Sequence, residues 1–465
     1  MLAAMRWTSL GHAGWLIEAA GLRLVCDPLL EVEHYRGVFE VYPRRRIHAE
    51  ALRPDFILVS HRHPDHFDIP SLARLAELDP ESVVVTPDPL VVWAARELGF
   101  TTVHELPPGQ QVELDGLGLV TTSSTLEDEW GLMVGTEDGV VWNMVDSVLR
   151  SPSAAQAERD RGLAALGHDR LHLALVQGQP MLEVQAQLGL DTSFPFEAYT
   201  RTLGIAASLE AEVVVAASAS SVHTDRFAWV DGFLHPVDES RFLADFARLC
   251  PDTRVFGSEL GARYSLRAGA VTREGSRDWD AGAWIERLDD DRPRPHRPIS
   301  IPPLRDPAEV EPDDATKAAV AAWIVDALAP ALAEAYPDFD VDRRLRFVVE
   351  VVYPESTLAW TLDVDAAGVT HQRGSVADWD ALNLVAGSML AELIAGRRHW
   401  GELLLGGTLR GYTRAYALEP GPKPAIRPAN LASLFLYYAL SYDASDERAI
   451  RSEVASWVSR RRESP

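Results

Sequence analysis

Along the first half of the chain the apolar positions fall in short runs rich in β-branched residues and separated by polar turns. "GWLIEAAGLRLVCDP" reads as two strands about a glycine turn, "DFILVS" as a strand, "IPSLARLAEL" as a helix and "SVVVTP" as a further strand. Further on, "GLMVGTEDGVVWNMVDS" predicts a hairpin about its "EDG", "LHLALVQGQP" a strand entering a loop, and "EVVVAASAS" one more strand. Strands alternating with helices from residue 5 to about 260 predict an α/β layered unit.

The pattern breaks between about 288 and 314, where "LDDDRPRPHRPISIPPLRDPAEVEPDD" is too rich in Pro and Asp to bury a core of its own. Beyond it, "ATKAAVAAWIVDALAPALAEAY" has helical spacing, and "LRFVVEVVYPESTLAWTLDVDAAGVTHQRG" reads as strands and turns. "DWDALNLVAGSMLAELIAGRRHWGELLLGGTLRGY" then reads as helix before two glycines. The expected organisation is a catalytic domain over 1–265, a Pro/Asp-rich linker region over 266–313 and a smaller α+β domain over 314–465. That last domain is expected to cover the substrate, to carry a lipid or to dimerise; its "G-x-L-R-G" turn and strand alternation resemble the sterol-carrier type.

A length of 465 residues suits two domains, and 47% apolar residues suit a water-soluble protein. The formal net charge of −25 argues against nucleic acid as a partner, since binding phosphates takes a basic face. Arg44 to Arg46 and Arg460 to Arg462 are local exceptions, read as solvated faces or as a site for an anionic substrate. The N-terminal stretch carries Arg6, His12 and Glu18 and no small-residue cleavage site, and other apolar runs are short and broken by charge, so a cytoplasmic protein without membrane contact is expected. Cys26 and Cys250 stand far apart and offer no disulfide framework or CxxC motif.

The densest chemistry is "ILVSHRHPDHFD", which places His61, His63, Asp65 and His66 in one loop directly after a strand. His61 and His63, two apart, point to the same side, while Asp65 and His66, beyond the turn made by Pro64, reach a second point nearby, so one loop supplies two metals. A histidine-rich surface loop is the plain alternative.

This motif, with "LGHAGWLIEAAGLRLVCDPLL" before it, resembles the metallo-β-lactamase fold: two sheets between helices, an αββα sandwich, with a dinuclear metal site at one edge. The resemblance covers about residues 5–260. It implies a third ligand on a later loop, a bridging Asp at a strand end and a final His. Asp146 in "NMVDSV" stands where the bridge is expected, a helix-capping turn Asp being its plain alternative. The third-ligand loop, "STLEDEWGLMVG", lies in a stretch without histidine from 105 to 167 and offers Glu127, Asp128 and Glu129; Glu127 is preferred for its separation from Asp146, with Glu129 its rival. For the final ligand His223, just past an apolar run, is preferred to His235. His12, in a Gly-flanked turn, is either a neighbour of the ligands or a structural histidine.

The implied set is His61, His63 and Glu127 on one metal, Asp65, His66 and His223 on the other, and Asp146 between them, with Glu127 and Asp146 the catalytic candidates. A carboxylate in place of imidazole moves such a site toward non-haem iron. "TLEDEWGLMVG", "LVQGQPM" and "SSVHTDRFAWVDGF" resemble the metallo-β-lactamase-fold diiron oxygenases. That group includes the chloramphenicol β-hydroxylase, the platensimycin/platencin diterpenoid monooxygenase and the metal domain of CMP-sialic-acid hydroxylase. The resemblance implies two Fe with O2 as co-substrate, an external reductase or ferredoxin, and a carrier-activated acid, such as a CoA-linked diterpenoid, in antibiotic biosynthesis. Trp130, Trp142 and Trp229 would line its pocket or pack in the core, Arg44 to Arg46 would meet the carrier's phosphates, and a homodimer is compatible. A hydrolase with two Zn is the alternative. Since the implied ligands all precede the linker, a fragment ending near residue 290 is expected to be soluble and to bind metal.

Overall fold

The computed structural model describes residues 4–463 apart from positions 115, 125–128, 148, 218–220, 235, 280, 289–300, 340, 342, 420, 421, 423, 424, 430 and 432–441. Two sheets form the first unit among these residues. One runs in the order Ala270–Glu274, Arg263–Arg267, Met5–Gly11, Gly14–Ala19, Leu22–Cys26, Phe56–Leu58, Val83–Thr86, Val103–Glu105. The other runs Gln111–Leu114, Leu117–Thr122, Gly131–Thr136, Gly139–Asn143, Leu173–Gln177, Val213–Ala217, Arg254–Phe256. The expected hairpin is present, with Thr136 opposite Gly139. Their facing sides share one core holding Trp7, Trp15, Leu58, Trp130, Leu132 and Val215. Helices cover both outer faces: Ile69–Leu78 and Pro89–Leu98 pack on the first sheet, Pro152–Leu166, Phe196–Ser208 and Glu239–Leu249 on the second. Strands buried on both faces explain the unbroken apolar runs.

The helices start where the sequence caps them. Asp68 accepts from the Ser71 amide with Pro70 in the first turn, and Asp88 accepts from the amides of Leu90 and Val91, so donors orphaned at each N-terminus are satisfied. Both caps immediately follow the loops that leave the strands Phe56–Leu58 and Val83–Thr86, and therefore fix the edge of the sandwich where the histidine loop lies.

The first unit continues beyond the expected limit at 265. Ala270–Glu274 extends the first sheet and Ile285–Arg287 pairs with Arg45–Ile47, so part of the span read as linker is sheet. In the C-terminal unit five strands run in the order Gly368–Arg373, Thr357–Asp365, Leu345–Val352, Ala381–Ala386, Leu409–Thr413, with only the Leu345–Val352 and Ala381–Ala386 pair parallel. "ALNLVA" and "LRGYT", read above as helix and turn, are thus strands: alternate burial on a half-covered sheet overrides the helical periodicity of what lies between them. The stretch Asp314–Phe339 is apolar and long enough to cross a membrane by composition alone. Here Val320, Ile324, Leu328, Leu332 and Phe339 instead lie in the core of this unit.

The two units share that core. Tyr35, Val38, Phe39 and Phe227 belong to the C-terminal cluster, while Ile450 and Val454 of the helix Tyr442–Glu463 belong to the cluster beneath Ile69–Leu78 and Pro89–Leu98. Arg36 joins them through ion pairs with the fully buried Glu402 and, at 2.7 Å, with Glu453; Arg398 meets the other Glu402 oxygen at 2.7 Å. Removing one partner from such a buried group typically costs about 3–5 kcal/mol.

The expectation of a soluble fragment is thereby reversed, because cutting the chain uncovers apolar surface and strands Arg36 without its acids. A fragment ending at residue 288 should aggregate or bind a hydrophobic dye strongly; a monodisperse fragment with a cooperative thermal transition would refute this.

Candidate metal centre

The loop that leaves Phe56–Leu58 is tied down before it reaches its histidines. Asp27, at the end of Leu22–Cys26, accepts from the Ser60 amide at 2.8 Å through Oδ1 and from the Ser60 hydroxyl at 2.9 Å through Oδ2. The same Oδ2 lies 3.0 Å from His66 Nδ1. Ser60 Oγ is also 2.9 Å from His61 Nδ1. Each Nδ1 is therefore engaged, leaving the Nε2 atoms to face outward. Beyond, the amides of His66 and Phe67 donate to the His63 carbonyl at 2.9 and 2.8 Å, a tight turn around Pro64. Arg62 points the other way, into a bidentate pair with the fully buried Asp88.

The loop gathers a donor cluster. Single ligand-type atoms of His61, His66 and Asp146 lie within 4.8 Å of one another, and so do those of His12, Asp65 and His66. His61 Nε2 stands 2.8 Å from His63 Nδ1, and His66 Nε2 stands 3.2 Å from Asp146 Oδ2 and 3.5 Å from Asp65 Oδ2. Asp65 Oδ1 and Asp146 Oδ1 are buried and have no hydrogen-bond partner among the described atoms. Orphaned carboxylate oxygens beside convergent imidazoles are costly unless a cation meets them, so the donor set fits a pair of divalent metals.

Electrostatics agree with ligand chemistry. Burial, then the neighbouring His66, holds His61 well below the usual histidine range, and burial likewise lowers His63, so both present lone pairs at neutral pH. Burial opposes the charged form of His66, but Asp65 and Asp146 outweigh it and push His66 well above its ordinary value. A bound metal would take the place of that proton.

Asp146 follows Gly139–Asn143 through Val145, a β-branched residue at φ 51°, whose amide donates to Asn143 Oδ1 at 3.2 Å. Left-handed backbone at such a residue costs about 1–3 kcal/mol and here aims Asp146 at His66. His12 is reached similarly: Gly11 and His12 have φ 88° and 51°, next to a register shift between Met5–Gly11 and Gly14–Ala19.

Of the sequence-predicted residues, the structure brings together His61, His63, Asp65, His66 and Asp146. Glu127, with Asp128, and His235 lie outside the described residues. Glu129 is buried with Oε1 accepting from Ser124 Oγ at 2.8 Å, and the next amide, Trp130, donates to the Ser60 carbonyl at 3.4 Å, which sets this carboxylate loop against the histidine loop. His223 is not in either donor group. It is fully buried, with Nδ1 2.8 Å from Asp231 Oδ1 and Nε2 2.9 Å from the carbonyl of Leu405 in the C-terminal unit.

Two alternatives that the sequence left open narrow. Arg44 to Arg46 form no free anion site: Arg45 is buried and donates to the Leu10 carbonyl at 2.7 Å, Arg44 pairs with Glu40, and Arg46 pairs with Glu31 and Glu286. Trp130 and Trp142 are core residues, and Trp229 lies under the Arg410 guanidinium. Sequence reasoning missed Asp27, whose only signal was a "CDP" at a strand end, and Glu183, buried with Oε2 unpartnered among the described atoms and pushed up to about 7 by burial, its own backbone hydrogen bond and then His223 opposing.

Residues 6–181 match the family model described as the β-lactamase superfamily domain. The first unit has the metallo-β-lactamase fold. The matched stretch is similar to that superfamily's domain and carries the histidine loop, and the donor set fits a metal centre. A Mycolicibacterium smegmatis protein named for a Rieske 2Fe-2S centre is 38% identical over 156 residues, 31% of this chain and 30% of the relative. A metal-dependent hydrolase of Salinibacter ruber is 29% identical over 156 residues, 31% of this chain and 60% of the relative. The chain thus spans less than a third of the first relative and under two thirds of the second. Among solved structures, the diiron β-hydroxylase CmlA of Streptomyces venezuelae aligns at TM-score 0.37 and 17% identity, over 57% of this chain and 55% of that one.

Asp27→Asn should preserve the fold yet weaken metal binding roughly 10–100-fold, because an amide has one acceptor oxygen where Asp27 uses two, and its NH2 must then face either the Ser60 amide or the Ser60 hydroxyl and His66 ring; chelator competition reads this, and unchanged affinity would contradict it. Glu183 ionises near 4.5 unfolded and about 7 folded. Since the folded state favours the proton, stability is greatest below the unfolded value and falls as pH rises through the folded one. Glu183→Gln should therefore raise the melting temperature at about pH 8 and leave it unchanged near pH 4, by calorimetry.

Proposed function

We propose that the chain is an O2-dependent non-haem diiron monooxygenase that hydroxylates an unactivated C–H bond of a carrier-activated acid. The observation that carries this reading is the carboxylate-weighted donor set: Asp65 and Asp146 meet the histidine loop, and the stretch from 105 to 167 holds no histidine to complete an imidazole-rich site. Such a set favours iron over zinc. His61, His63 and a carboxylate of the 127–129 loop would hold one metal, Asp65 and His66 the other, with Asp146 between.

Two ferrous ions held there would supply positions open to O2, one oxygen atom entering the substrate C–H bond and the other leaving as water with two electrons and two protons from outside. The chain's own residues orient and neutralise. Asp27 and Ser60 fix the imidazoles, and Asp65 and Asp146 would balance the charge of metals held at this edge. Cys26 lies in the sandwich core and Cys250 against the opposite helical layer, so they cannot jointly hold an iron–sulfur cluster. Electrons would come from a reductase or ferredoxin, a role in keeping with the relative named for a Rieske centre. An apolar acid carried as a coenzyme A thioester in secondary metabolism is the substrate class proposed, in a cytoplasmic enzyme.

The second reading is a zinc hydrolase of an ester, lactone or phosphodiester, favoured by the Salinibacter ruber relative's name. Enzyme prepared with iron should hold two Fe per chain and turn over only with an added reductase. Product formed under 18O2 should carry the label in its new hydroxyl. Label from water, or full activity with two zincs and no iron, would establish the hydrolase instead.

A further inference from the structure

We infer that His12, and not His223, completes the second metal position together with Asp65 and His66. The inference rests on reading this edge as a two-metal site. It concerns which residues close that site, whichever metal fills it.

His223 is poorly placed to be a ligand. Its Nδ1 faces the Asp231 carboxylate at 2.8 Å and its Nε2 faces the Leu405 carbonyl at 2.9 Å. These two partners occupy the directions of both ring nitrogens, so neither nitrogen faces the donor cluster. The Asp231 carboxylate also accepts from the His223 amide at 2.9 Å, which locks the residue to the turn that follows. The Leu405 carbonyl belongs to the C-terminal unit that shares a core with the first, so this contact ties His223 to that unit.

His12 has the opposite arrangement. Its Nε2 lies 3.0 Å from Asp65 Oδ2, its ring centre lies 5.6 Å from that of His66, and one ligand-type atom from each of the three falls within 4.8 Å of the others. On the far side Nδ1 meets Ser221 Oγ at 3.3 Å, a hydroxyl that can accept from an Nδ1–H and leave the Nε2 lone pair for a metal. Asp65 Oδ1, buried and without a partner among the described atoms, is the second donor of the set. The backbone is bent to achieve this. Gly11 and His12 are both left-handed, beside an irregularity in strand pairing, and the bend turns His12 out of the strand direction and toward Asp65.

The test uses the metal-free full-length chain and Zn(II) as the probe, so that its outcome does not depend on which metal the enzyme employs. His12→Asn is the decisive variant, because Asn tolerates left-handed backbone and its amide can still donate to Asp65, while it is a poor ligand for zinc. His12→Ala and His223→Asn accompany it, with thermal unfolding of each metal-free form as the control on folding. Wild type should bind two Zn(II). His12→Asn should hold one tightly and the second more than 100-fold more weakly, beyond the roughly 10–100-fold expected when only a residue supporting a ligand is lost. His223→Asn should keep both affinities within about threefold of wild type. Two tight sites in His12→Asn, or loss of the second site in His223→Asn instead, would overturn the assignment and leave the two-metal reading standing. Fewer than two zinc ions in wild type would overturn both.

Discussion

Asp27 holds the candidate centre together. A carboxylate taken out of water is tolerated only when its lone pairs are met. Asp27 meets that condition with the Ser60 amide, the Ser60 hydroxyl and the His66 ring, all belonging to the next strand's loop. Joining two strand ends of the first sheet in this way converts a surface loop into a rigid support. The orientation of His61 and His66, the turn at Pro64 and the capped start of Ile69–Leu78 all follow from it. The apolar sandwich beneath supplies the dry surroundings in which such bonds are strong.

The C-terminal unit extends the same logic across the chain. Glu402 is fully buried between Arg36 and Arg398, burial raising its pKa and the two guanidiniums opposing that rise. Arg36 sits two residues after His34, whose ring lies 5.8 Å from that of His12 and whose Nε2 shares Ser221 with it. Asp446, on the helix Tyr442–Glu463, is pushed up to about 7 by burial against the pull of Arg62 and Arg36. Arg62 is itself part of the histidine loop. Charges of the second unit therefore face the loop from behind, and a shift of that unit changes the field at the donors as well as the packing. The two units act as one body for the purpose of the site.

Much of this was legible in the sequence because it is local. The histidine loop places His61, His63, Asp65 and His66 within six positions after a strand, and periodicity alone places the strand, the hairpin ending near Asp146 and the helix that Asp68 caps. What escaped is long-range. Whether His12 or His223 turns toward Asp65 depends on a bend in one strand and on a carbonyl nearly two hundred residues from His223, neither of which has a sequence period. Arg45 reads as surface charge by composition, yet its carbonyl partners lie on segments that only the folded sheet brings near. Trp130 and Trp142 read equally well as pocket or core, and the two sheets close over them. The strands Ala381–Ala386 and Leu409–Thr413 were lost for a related reason: in a sheet with one covered face, apolar residues recur often enough to imitate a helix.

Backbone strain gives an independent measure of where the chain departs from its cheapest conformation. Nine non-glycine residues among those described have left-handed φ, and five of them are His12, Asp27, Tyr35, Arg36 and Val145. They are distant in sequence and close in space: Asp27 and Val145 end strands of different sheets and aim carboxylates at His66, His12 leaves its strand toward Asp65, and Tyr35 and Arg36 form the rim that meets the C-terminal unit. Each such residue costs on the order of 1–3 kcal/mol, and cost concentrated at one edge persists only where surrounding structure enforces it. Packing does not need this concentration, since the cores on either side are built from ordinary strands and helices. The convergence of donor atoms does need it, because a straight strand end would carry His12, Asp27 and Asp146 past one another.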